Sequence, residues 1–212
     1  VDQKTAYRWA CQLCEVIGYL HGQGEDGIIH CDIKPGNIMI TPSGDICVID
    51  FNTSLFNEEN ARAVGATPGY AAPEQYTVRA VPEETPAKSR FGGETFGDVT
   101  EFLNEQGATP MRSAARAVDY GDIGKWTDVY GIGATIYFML TGYRPGKSIE
   151  EVIPITRYDI DATEAFKGII TKAMEYKTSD RFADAKTMLA ALKNIVKIDK
   201  RYKTFLRARN FT

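Results

Sequence analysis

Apolar residues recur at Ala6, Ala10, Leu13, Cys14, Ile17 and Leu20, spaced by three and four, which predicts an amphipathic helix over residues 2–22. Gly22 and Gly24 mark its end, and His21 beside them reads as a capping or packing residue. The period then shortens. Ile38-Met39-Ile40 and Ile46-Cys47-Val48-Ile49 are short apolar runs joined by Pro42-Ser43-Gly44-Asp45, the composition of a β-hairpin and its turn. From Trp126 to Thr141 the chain is apolar on nearly every side, which predicts a helix buried at the centre of a domain and ended by Gly142. Two further helices are expected at about 163–176 and 182–196. The segments between are polar: 52–63 has no sustained period. Residues 79–122, rich in Pro, Gly and Glu at first, show only weak helical patterns at 98–105 and 111–118.

The hairpin changes the picture because of what stands at its open end. The sequence Ile28-Ile29-His30-Cys31-Asp32-Ile33-Lys34-Pro35-Gly36-Asn37 leads into the first strand, and the second strand finishes at Asp50. A hairpin returns its second strand to the end where the first began, so Asp32, Lys34, Asn37 and Asp50 are drawn to one place. Two carboxylates, an amide and an ammonium suit phosphoryl transfer. One carboxylate orients or deprotonates the attacking hydroxyl, and hard oxygen ligands hold Mg²⁺, which binds through few protein groups plus phosphates. The plain alternative is a polar loop in which Asp and Asn serve as turn formers.

Composition bounds this reading without directing it. The chain of 212 residues is 43% hydrophobic and 25% charged, enough for one sizeable core. A net charge of −3 gives no global positive field for nucleic acid. No apolar run is long enough to cross a bilayer and no signal peptide opens the sequence. The four cysteines include a Cys-x-x-Cys, Cys11 and Cys14, but no second pair accompanies them and His is scarce, so buried thiols in a reducing, cytoplasmic setting are expected. The sequence opens at Val1, within a helical pattern and without Met, and reads as a piece of a longer protein.

The ordered set of motifs resembles the protein kinases. His30 to Asn37 is similar to the kinase catalytic loop, with Cys31 where Arg is usual. Asp50-Phe51-Asn52 resembles the Asp-Phe-Gly motif, with Asn52 in place of Gly. Gly65-Ala66-Thr67-Pro68-Gly69-Tyr70-Ala71-Ala72-Pro73-Glu74 resembles the end of an activation loop and the peptide-binding loop closing in Ala-Pro-Glu. The Lys-Pro form of the first loop points to serine/threonine kinases, and the wording of the last to bacterial ones.

The resemblance implies a mainly α fold: a helical bundle around a buried central helix, with a small hairpin carrying the catalytic and metal loops. The whole of residues 1–212 would form the family's large lobe, with 79–122 an insertion between the Ala-Pro-Glu motif and the central helix. It implies Asp32 and Lys34 as catalytic residues, Asn37 and Asp50 as Mg²⁺ ligands, and Asn37, Met39 and Asp50 as ATP contacts. Thr67 would bind both Asp32 and Lys34 beside the protein substrate. His30 and Phe51 would be structural, as would Asp128, accepting hydrogen bonds from the catalytic-loop backbone, and Glu74, paired with Arg181.

The family's small lobe, with a Gly-rich loop, a strand Lys and a helix Glu, is not recognised in this chain. Mg²⁺ and ATP are therefore expected partners of the complete kinase and weak ligands of these residues alone, and the missing lobe is an expected partner. The rival readings are a pseudokinase or scaffold, which has no chemical need for the four polar residues, and a small-molecule kinase, against which the Gly65–Glu74 motif speaks. The basic, partly aromatic stretch 197–209 reads as a terminal helix.

Overall fold

The computed structural model describes residues 1–25, 27–56, 66–76, 122–146 and 151–198. Within them helix α1 spans Gln3–Leu20. It starts where Asp2, in extended conformation, accepts hydrogen bonds from the Thr5 amide (3.0 Å) and hydroxyl (2.8 Å). It stops at His21, whose backbone N–H bonds back to Ile17 O. Strand β1 (Ile28–Ile29) follows, then β2 (Ile38–Ile40), β3 (Ile46–Val48) and β4 (Leu55–Phe56). Helices α2 (Lys125–Thr141), α3 (Glu164–Ala173) and α4 (Ala185–Ile198) complete the described elements. Mainly α architecture, as expected, is what the chain adopts.

β2 and β3 form the expected antiparallel hairpin, in the register Ile38↔Val48, Met39↔Cys47, Ile40↔Ile46. A second antiparallel pair, β1 with β4, joins Ile28 to Phe56 and Ile29 to Leu55. Two-residue strands carry no readable alternation, so sequence periodicity did not foresee this pair. It matters because it fixes the chain after Asp50 beside the chain before Asp32.

The four helices share the main core, beside two smaller buried clusters. α1 presents Ala6, Ala10, Leu13 and Ile17, α2 presents Val129, Ile132 and Ile136, and α3 and α4 add Phe166, Ile170, Met188 and Leu192. Full burial of each large aliphatic side chain contributes about 1.5–3 kcal/mol. Ile46 and Val48 tuck the inner face of the hairpin into the same core, while Met39 and Cys47 face outward. The turn of the hairpin is also tied to α1. Arg8 Nη2 and Trp9 Nε1 donate to Gly44 O (2.6 and 2.9 Å), and Gln12 accepts from the Ile46 amide (3.3 Å) while donating to Asp45 Oδ1 (2.5 Å).

α2 is buried along most of its length, as its all-round apolarity predicts. At Gly131 it approaches the loop before the hairpin so closely that an added Cβ would stand 3.0 Å from Ile33 Cβ. Its end is Gly142, whose N–H bonds to Phe138 O at 2.8 Å. α3 and α4 run a few residues inside or beyond the expected 163–176 and 182–196: Thr163 caps the start of α3, Asp184 accepts from the Thr187 amide at the start of α4 (2.7 Å), and Thr178–Asp180 form a separate 3₁₀ turn between them. The two Cys-x-x-Cys thiols lie on the buried side of α1, and all four cysteines are free. Among the described residues no helix is long and apolar enough to cross a membrane. The expected insertion at 79–122 falls outside the described residues except for Asp122, as do residues 57–65 and the tail beyond 198.

Candidate active site

The loop that connects β1 to β2 is shaped from beneath by an acid. Asp128, on α2 and 1% exposed, accepts from the backbone N–H of His30 (2.8 Å, Oδ2) and of Cys31 (2.8 Å, Oδ1). His21 Nε2 donates to the same carboxylate at 2.9 Å. A buried carboxylate survives in an apolar helix only with such donors. Their pull bends the chain: Cys31 has φ 65°, a left-handed conformation uncommon outside glycine. Gln75, just past the Ala-Pro-Glu motif, braces the same residue by donating to Cys31 O at 2.8 Å.

Held this way, the loop delivers Asp32 to the open end of the hairpin. Its Oδ1 accepts from the Thr67 hydroxyl (2.8 Å), and its Oδ2 accepts from Lys34 Nζ (2.7 Å) and Asn37 Nδ2 (2.8 Å). Lys34 also donates to Thr67 Oγ1 at 3.0 Å, closing a ring of three side chains, Asp32, Lys34 and Thr67, with Asn37 attached to the same carboxylate. Burial by itself would raise the Asp32 pKa; the hydrogen bonds from Lys34, Thr67 and Asn37, with the Lys34 charge, outweigh it and hold the carboxyl below its ordinary value. The side chain is 16% exposed, so the ring is open to an incoming group.

Asp50 reaches this end through the register. Val48 pairs with Ile38, Ile49 N–H donates to Asn37 O (2.9 Å), and Asp50 follows. It is the other described non-glycine residue with positive φ (64°). The left-handed angle thus falls on Asp50 rather than on Asn52, which stands where the family has Gly and whose N–H caps Asp50 Oδ1 at 3.3 Å. Beyond it, the Phe51 ring lies 5.0 Å from that of fully buried His30 and keeps 47% of its surface exposed, while the Thr53 hydroxyl donates to His30 O (3.1 Å). Met39, on the outward face of the hairpin, is 57% exposed.

Glu74 and Arg181 meet over the far side. Arg181 Nη1 and Nη2 donate to the two Glu74 oxygens at 2.8 and 2.9 Å, and both side chains are wholly buried. The Thr127 hydroxyl gives Glu74 a third bond (2.8 Å), and the Arg181 guanidinium lies over the Tyr130 ring at 5.0 Å. Reading the sequence did not single out Thr127, Gln75, Gly131 or the tie between His21 and Asp128. Each acts through partners more than 40 residues away, and no local pattern marks it.

For a metal, the chain offers the Asn37 amide oxygen, its nitrogen being committed to Asp32, and the exposed Asp50 carboxylate. Both are hard oxygens, the donor type Mg²⁺ takes. Among the described residues no group of three His, Cys, Asp and Glu is gathered to hold an ion, so this pair would need further ligands from a nucleotide and water. The sequence does spell Gly-x-Gly-x-x-Gly once, Gly22 to Gly27. It links the end of α1 to β1, and a phosphate-binding loop of that spacing follows a strand, so no phosphate role attaches to it.

A family model described as "Protein kinase domain" matches residues 1–86. The probable cAMP-dependent protein kinase catalytic subunit of Encephalitozoon cuniculi is 36% identical over 74 residues, 35% of this chain and 22% of that protein. Serine/threonine-protein kinase PknB of Mycolicibacterium smegmatis is 25% identical over 203 residues, 91% of this chain and 26% of that protein. Serine/threonine-protein kinase SSK22 of Saccharomyces cerevisiae is 29% identical over 153 residues, 70% and 10% of the respective chains. The chain spans about a quarter or less of the length of these relatives. A solved structure titled "PpkA-294 apo form" superposes with a TM-score of 0.57 at 20% identity, covering 91% of this chain and 55% of that one, which speaks for the fold alone. By these matches residues 1–86 fit the protein kinase domain, and the chain is similar to serine/threonine kinases, a bacterial one included.

Proposed function

We propose that residues 1–212 form the large lobe of a serine/threonine protein kinase that transfers the γ-phosphoryl group of ATP to a protein hydroxyl. The observation that carries this reading is the closed ring Asp32–Lys34–Thr67 with Asn37 on the same carboxylate. A scaffold gains nothing from a lysine and a carboxylate held part-exposed at the end of a hairpin. Asp32 is ionised at neutral pH and positioned to receive the acceptor hydroxyl's hydrogen bond. Its low pKa makes it an orienting group that takes the proton late, since a strong base would have a pKa near the working pH. Lys34 sits within reach of both Asp32 and an incoming phosphoryl oxygen and would balance charge developing there. Thr67 fixes the distance between them and borders the acceptor.

Asn37 and Asp50 would hold Mg²⁺, and Met39 with its neighbours on the outward face of the hairpin would lie under the adenine. Bound Mg²⁺ and ATP would supply the phosphoryl donor and neutralise its charge. Two oxygen ligands and one face of an adenine site bind weakly, so these residues alone are expected to bind ATP poorly and to transfer little phosphate. A small lobe supplied by the rest of the protein would complete the site. The compartment proposed is the cytoplasm, in keeping with four free thiols.

Phosphotransfer to a serine-containing protein by the gene's full translation product, wild type against Asp32→Asn, tests the proposal. A loss of about 10²–10⁴-fold is expected for removal of a positioned acid–base group. Equal activity in the variant would overturn the assignment, and so would vigorous phosphotransfer or tight ATP binding by the 212 residues alone overturn the half-site reading.

A further inference from the structure

The ring around Asp32 leaves the acceptor side of the site bounded by the segment that carries Thr67. That segment turns at once: the Tyr70 and Ala71 amides both donate to Thr67 O (3.0 and 2.9 Å), so residues 67–71 form a compact shelf beside the carboxylate. Against this shelf, from the loop after α2, comes Arg144. Gly69 has φ 86°, and a Cβ there would stand 2.6 Å from Pro145 O and 2.7 Å from Arg144 Cγ, so the two loops touch through a glycine that no other residue replaces without displacement. The Arg144 guanidinium carbon lies 5.6 Å from the centre of the Tyr70 ring, and Tyr70 is in turn packed edge-on against Phe138 of α2, centroids 6.2 Å apart. The arginine stem is therefore pinned on two sides while the residue as a whole is exposed, and no carboxylate pairs with it among the described residues.

A cation fixed over an aromatic ring, with no counter-charge among the described residues, is pre-organised for a carboxylate, because little side-chain entropy remains to be lost. Its place beside the Thr67 shelf means that a polypeptide offering a hydroxyl to Asp32 passes it. We propose that Arg144 selects protein substrates carrying an acidic side chain near the phosphorylated serine or threonine. This rests on the kinase reading above and adds to it the charge class of the substrate.

The test is equilibrium binding to the 212-residue chain of serine-centred peptides, identical except that flanking positions carry Asp and Glu in one set and Lys and Arg in the other. Amide shifts at Gly69 and Tyr70 report the place of binding. The acidic set is expected to bind about fivefold more tightly at low salt, the scale of a well-placed surface ion pair, with the advantage falling as salt rises. Arg144→Glu should reverse the preference, and Arg144→Lys should keep its sign with a smaller ratio. Equal binding of the two sets, absence of binding, or an acidic preference untouched by Arg144→Glu would overturn the proposal. The same peptides presented to the full translation product separate the two readings. Acidic preference in binding without phosphotransfer would sustain Arg144 and sink the kinase assignment, whereas phosphotransfer indifferent to flanking charge would do the reverse.

Discussion

Asp32 takes three hydrogen bonds on two oxygens, and the cost of breaking them can be read through pH. Its folded-state pKa is depressed, so its contribution to stability is fully present above the unfolded value, near 3.8, and is lost as pH falls through the lower folded value. Asp32→Asn removes that titration. In urea unfolding followed from pH 6 down to about pH 3, the variant is expected to lose less stability on acidification than the wild type; parallel curves would contradict the hydrogen-bonded carboxylate. Cys31 offers a second reading at the same scale. A neutral thiol cannot grip a phosphate as the usual Arg does, so activity of the full protein should survive phosphatase treatment. Loss of most activity would refute this. The Cys31 thiol is 5% exposed and burial pushes its pKa well up, while Cys11 and Cys14 are buried and Cys47 is exposed. Mass spectrometry after brief treatment of the native chain with a maleimide should find one adduct, at Cys47.

At the scale of elements, the site is held by ties between pieces distant in sequence. The pair of Glu74 and Arg181 joins the Ala-Pro-Glu turn to the segment ahead of α4, with both side chains removed from water. Glu74→Gln leaves the guanidinium buried without its counter-charge and is expected to cost about 3–5 kcal/mol in urea unfolding. A cost below about 1 kcal/mol would show the pair to be solvated. Asp128 likewise serves two backbone amides and His21. Asp128→Ala should cost several kcal/mol, since each buried donor left unpaired loses about 1–3 kcal/mol. The hairpin is anchored at its turn by Arg8, Trp9 and Gln12 and on its inner face by Ile46 and Val48, so Met39 and Asp50 stand on a rigid support rather than on a free loop.

For the molecule as a whole, the division between what the chain's order of residues determines and what only folding decides is plain. The long-range apolar periods, the hairpin with its turn and the ordered motifs from His30 to Arg181 were legible, because helices, strands and catalytic loops write their requirements into local spacing. That Asp32, Lys34, Asn37 and Asp50 come to one end of the hairpin was implied by the return of an antiparallel strand; that Lys34 and Asn37 both donate to the Asp32 carboxylate was not. Folding alone decided the rest. It paired β1 with β4, placed Gly131 against Ile33, sent Thr127 to Glu74 and Gln75 to Cys31, and gave Cys31 and Asp50 left-handed backbone angles. It also laid Arg144 across Tyr70. The reason is physical. A residue's own propensity and its nearest neighbours are encoded within a few positions, whereas a hydrogen bond or a close approach between segments separated by tens to more than a hundred residues exists only once the core has fixed the distance between them.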